Sequence, residues 1–129
     1  ILRPGETSPF RISTWPDEID FESCGLNCEW SSTTEQPFKG LKVQNENIQA
    51  QSLGDYEVSG EVKNNSSSTA RFVEVICTFY NASGDVIGVE TAYTEPSDID
   101  AGGSAFFKMG TWPERINPSR LMLQAQAKY

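Results

Sequence analysis

Residues 2–19 and 99–116 are two versions of one motif. Aligned without gaps, they match Gly5 with Gly102, Phe10 with Phe107, Thr14-Trp15-Pro16 with Thr111-Trp112-Pro113, and Ile19 with Ile116. Arg11/Lys108, Ile12/Met109 and Asp17/Glu114 keep their chemistry. So many shared glycine, phenylalanine and Trp-Pro positions are hard to obtain by chance over so short a stretch. The offset, from Gly5 to Gly102, far exceeds the roughly 20–50 residues of a solenoid repeat and is close to one domain built of two packed β-sheets. Residues 1–36 are therefore expected to be the C-terminal tail of a preceding unit plus a linker, and residues 37–129 a complete unit, as in a piece of a tandem array. The competing reading is one domain that uses the same strand motif at both ends.

The complete unit reads as short strands. Tyr56, Val58, Gly60 and Val62 alternate with Glu57, Ser59, Glu61 and Lys63, the period of a half-buried strand. Val73, Val75, Cys77 and Phe79 form the expected inner face of the next, and Asn81-Ala-Ser-Gly84 turns the chain into a return strand ending at Tyr93. Ala105, Phe107 and Met109 point inward from a fifth segment, and Leu121, Leu123, Ala125 and Ala127 from a last one. Leu41 to Val43 and Ile48 supply a first strand with a bulge. No segment combines helical periodicity with capping residues. The expected fold class is all-β: an immunoglobulin-like antiparallel β-sandwich of about seven strands, with an N-terminal strand segment left from a preceding repeat.

Composition narrows the functional classes. A net charge of -8 argues against nucleic acid, which needs a clustered basic surface, and no apolar run is long enough to insert in a membrane. The chain contains no histidine, which removes His-based triads, proton shuttles and His metal sites. Ser-x-x-Lys spacing is absent too, so serine has no evident base.

The strand pattern resembles the FxLYD domain family. The residues that carry the resemblance are Gly60-Glu-Val-Lys-Asn64, Val73 to Asn81, Gly84-Asp-Val-Ile87 and Ala101-Gly-Gly-Ser-Ala-Phe-Phe107, with Arg3-Pro-Gly-Glu-Thr-Ser-Pro-Phe10 matching the last element again. Cys77-Thr-Phe-Tyr-Asn81 keeps the tyrosine of the eponymous motif and replaces its Phe, Leu and Asp. The resemblance implies an immunoglobulin-like sandwich of secreted or surface prokaryotic proteins, often in tandem, and no catalytic residues.

Several residues are candidates for chemistry. Cys24 and Cys28 sit in a small polar loop and are expected either to form a disulfide or to remain thiols; two thiols without a histidine are a poor metal set. Cys77 reads as a buried small apolar residue. Asp98-Ile-Asp100 lacks the alternating ligands and distal glutamate of a calcium loop and reads as a solvated acidic loop. Asn64, Asn65 and Asn81 begin Asn-x-Ser sites in turns and are glycan acceptors only on a eukaryotic secretory route. Trp15, Trp30, Trp112 and Tyr93 raise carbohydrate binding; Trp15 and Trp112 read as domain-end plugs, which leaves Trp30 as the candidate ligand contact.

The expected function is a non-catalytic module, extracellular, cell-surface or periplasmic, acting as a spacer, adhesion or protein-interaction unit, with a carbohydrate-binding module as the alternative. No cofactor is expected. The expected partners are adjacent domains or another protein, and a second copy in a strand-exchanged homodimer.

Overall fold

The computed structural model describes residues 5–10, 12, 23, 25–51, 55–110 and 118–128. Among them there are six strands and no helix: β1 Leu41–Ala50, β2 Tyr56–Asn64, β3 Arg71–Tyr80, β4 Val86–Tyr93, β5 Ser104–Gly110 and β6 Arg120–Lys128. They form two three-stranded antiparallel sheets, ordered β1-β2-β5 and β4-β3-β6. About seven strands were expected; six are described, and two isolated bridges, Ala70–Ile99 and Glu95–Phe106, extend the pairing beyond them. Both Trp-Pro segments lie outside the described residues.

The inner faces are those the alternation anticipates. Val58 and Val62 of β2, Val73, Val75, Cys77 and Phe79 of β3, and Ala105, Phe107 and Met109 of β5 form one buried cluster, with Leu121, Leu123, Ala125 and Ala127 of β6 packed against it. Burial of each large member is worth about 1.5–3 kcal/mol. Phe38, Ala70 and Ile99 join the cluster from outside the strands. Gly60 faces Phe107 across the β2–β5 ladder, and a Cβ there would lie 3.0 Å from the phenylalanine ring. The glycine is what lets that ring lie against the backbone.

The turns follow their residue types. Between β3 and β4, Asn81 N donates to Asp85 O at 3.0 Å, and Gly84 takes a φ of 88°. The expected bulge in β1 falls between Gln44 and Asn47, with Asn45 at a φ of 54° and its amide donating to Glu61 Oε2 at 2.9 Å. Asparagine tolerates this left-handed backbone better than most side chains.

Candidate functional site

Asn64, the last residue of β2, is fully buried. Its Nδ2 donates to the carbonyls of Ser68 at 2.8 Å, Ile99 at 2.9 Å and Asp100 at 3.3 Å, and its Oδ1 accepts from Ser66 N at 3.0 Å and Ser66 Oγ at 2.7 Å. Its backbone bonds Gly103 O and Gly102 N, each at 3.0 Å. One amide thus ties the turn after β2 to the loop before β5. In the folded chain the Asn64 Nδ2 is shielded from solvent and its hydrogen-bonding capacity is filled, so a glycan there is incompatible with this packing. Asn65 is exposed, and Asn81 is held by Asp85 at 3.0 Å.

The acidic loop is tied in as well. Asp98 Oδ1 accepts from Phe72 N at 3.0 Å and Oδ2 pairs with Arg71 at 3.4 Å, while Asp100 Oδ1 accepts from Thr69 Oγ1 at 3.1 Å. These carboxylates stay exposed to solvent, as a solvated loop requires, and also tie the loop to the start of β3 and to Thr69 just ahead of it. Among the described residues no group of three or more His, Cys, Asp or Glu side chains is placed to hold a metal ion, and no helix is long and apolar enough to cross a membrane.

Cys77 is buried in the core. Desolvation, and secondarily the charge of Glu90 opposite it on β4, push its thiol up to about 12. The thiolate, the reactive form, is therefore suppressed near neutral pH. Cys28 is exposed. Cys24 lies outside the described residues, and with it the choice between a Cys24–Cys28 disulfide and two thiols.

Of the aromatic candidates, Trp15 and Trp112 lie outside the described residues, and Trp30 is 87% exposed. Tyr93 gains a neighbour that sequence reasoning did not pair with it. After β4 the chain crosses from one sheet to the other, and Glu95 bridges to Phe106, its N donating to Phe106 O at 2.7 Å. The crossing brings Tyr93, 60% exposed, and Phe106, 49% exposed, to a shallow groove of about 290 Å³ with Glu95 and Lys108. Lys108 is paired with Glu57 at 2.7 Å. The groove offers two apolar ring surfaces beside an exposed carboxylate. Phe106 carried one available signal: it is an aromatic at an outward position of an alternating strand.

Comparison with known protein families, curated proteins and solved structures yields no match to this chain.

Proposed function

We propose that the chain carries a non-catalytic, immunoglobulin-like module of the FxLYD type, serving as a spacer, adhesion or protein-interaction unit of a secreted, surface or periplasmic protein. The strand orders support the fold reading. The orders β1-β2-β5 and β4-β3-β6 are compatible with strands A-B-E and C′-C-F of an immunoglobulin-like sandwich. The motif pieces also meet in space: Gly60 lies against Phe107, and Asn64 is bonded to Gly102 and Gly103. In the tandem reading, residues 1–36 are the tail of a neighbouring unit.

The observation that carries the functional reading is where the groups of greatest capacity sit. Cys77, Asn64 and Asp98 are consumed in holding the fold, whereas Trp30, Phe72, Tyr93 and Phe106 stand exposed. Aromatic side chains are enriched at contact surfaces, and Phe72, Tyr93 and Phe106 present theirs from the strands. The Tyr93–Phe106 groove favours the second reading, a carbohydrate-binding module, because sugar rings stack on aromatic faces and Glu95 can accept from hydroxyls.

Calorimetric titration with soluble cellulose, chitin, xylan and mannan oligomers separates the two. Saturable binding that weakens about tenfold with Tyr93→Ala, Phe106→Ala or Trp30→Ala, near the cost of one lost contact of 1.4 kcal/mol, establishes the carbohydrate module. Silence across the panel leaves the spacer or protein-contact role. For that role, pulling from residue 37 to residue 128 is expected to show one cooperative rupture; yielding in several weak steps defeats a load-bearing spacer. For the compartment, alkylation of Cys24 and Cys28 before and after reduction decides between disulfide and thiols; protection that reduction removes supports an oxidising compartment.

A further inference from the structure

The outward aromatics of this molecule are of two kinds. Tyr80 of β3 has the Arg120 guanidinium over its ring, 4.3 Å from the centroid, and Phe72 has the Lys128 ammonium over its own at 5.8 Å. Both cations come from β6. A positive group over a ring face is attracted by the negative charge of the π cloud. Tyr93 and Phe106 lack this cover. Among the described residues no cation stands over either ring, and the two residues are 60% and 49% exposed.

The groove they share is acidic as well as aromatic. Of its charged lining residues, Lys108 is engaged by Glu57 at 2.7 Å, and that pair is neutral. Glu95 therefore sets the sign of the groove. Its backbone is pinned to β5, with Glu95 N donating to Phe106 O at 2.7 Å and Phe106 N to Glu95 O at 3.3 Å. Its side chain is exposed, and the carboxylate has no hydrogen-bond or ion-pair partner among the described residues. A net charge of -8 adds a longer-range attraction for cations.

We propose that the Tyr93–Phe106 groove receives an arginine side chain presented by a partner protein, whose guanidinium stacks on the ring faces and donates to the Glu95 carboxylate. This rests on the protein-contact reading of the chain and names what that contact recognises. The chemistry selects arginine. Its planar, delocalised cation stacks on rings and offers paired N–H groups to a carboxylate. A quaternary ammonium has no N–H to give and would leave Glu95 without a hydrogen bond. A lysine ammonium is compact and strongly hydrated, and on this molecule it stands farther from its ring than the arginine does. The groove, about 290 Å³, is shallow. That suits a side chain carried in on a partner's surface, whereas a free small ligand binds in a cavity that buries most of it.

Chemical-shift titration of the isotope-labelled full chain tests this. The probes are acetyl-Gly-Arg-Gly-amide and its citrulline counterpart, which keeps the shape and loses the charge. At low salt the arginine peptide is expected to bind with a Kd on the order of 1–10 mM and to move the amides of Tyr93, Glu95 and Phe106. The citrulline peptide should bind about fivefold more weakly, the size of one exposed cation–π contact. Glu95→Gln should shrink that preference, and Tyr93→Ala and Phe106→Ala should each weaken arginine binding about two- to fivefold. Glu35→Gln, at an exposed carboxylate outside the groove, should leave it unchanged. Equal binding of the two peptides, or shifts that avoid the groove, overturn the arginine site. Equal losses from Glu35→Gln and Glu95→Gln do so too, since they mark attraction to an acidic protein at large. A cellulose, chitin, xylan or mannan oligomer that moves these amides while the arginine peptide does not defeats the protein-contact reading itself. Silence from both kinds of probe ends the arginine site and leaves that reading standing.

Discussion

Phe107 is 1% exposed and Phe10, its counterpart in the other copy of the motif, is 64% exposed. The glycines ahead of them share a conformation: Gly5 has a φ of 83° and Gly102 of 73°. Beyond that the two regions diverge. The Gly102 copy is received by β2, which offers Gly60 as a seat for the ring, and its loop is clasped by Asn64. The Gly5 copy stands in neither described sheet, and its Phe10 and Ile12 remain in water. Local sequence sets the turn and the alternation of a strand. Burial, and with it most of the stabilisation, comes from the surface that receives the strand.

That contrast can be broken by experiment. The largest effect is expected from the paired substitutions Phe107→Ala and Phe10→Ala: the first should cost about 3–5 kcal/mol in urea unfolding, the second less than about 0.5 kcal/mol. Similar costs at both sites would mean that the first copy is also received by a core. Asn64→Ala is next, at about 2–3 kcal/mol, because it strips hydrogen bonds from buried carbonyls, while exposed Asn65→Ala should be near neutral. Gly102→Ala is expected to lower stability by about 1 kcal/mol through backbone strain alone, since the added Cβ meets open space, with Gly5→Ala leaving the global transition unchanged. The smallest effect is in pH. The folded Cys77 thiol holds its proton to about 12 against an ordinary 9.0, so its contribution to stability is intact below pH 9 and declines as pH rises from 9 to 12. Replacing Cys77 by Ala should flatten that part of the decline in a melting-temperature series, and Cys28→Ser should not.

Much of this fold is written in alternation. The inner faces of β2, β3, β5 and β6, the Asn81–Gly84 turn and the bulge in β1 all depend on residues close together in the chain, so periodicity and turn chemistry reveal them. What escapes is what joins distant residues. Asn64 sits in a run of Asn and Ser that reads as a solvated turn; its partners Ile99 and Asp100 lie more than thirty residues on, and nothing local marks it as buried. Thr78 is likewise withdrawn from water on a face that alternation assigns to the outside. Tyr93 and Phe106 become neighbours only because the chain changes sheets between them. Phe38 enters the core ahead of the first strand, where no period frames it. The candidate site was therefore less legible than the scaffold that carries it.

The left-handed residue in β1 has a consequence for crowding. Past Asn45 the rungs of that margin fall out of step. A foreign backbone laid along it could hydrogen-bond over one half of its length or the other, but not over both. Units held side by side at high density are thereby discouraged from zipping into a continuous ribbon along this border.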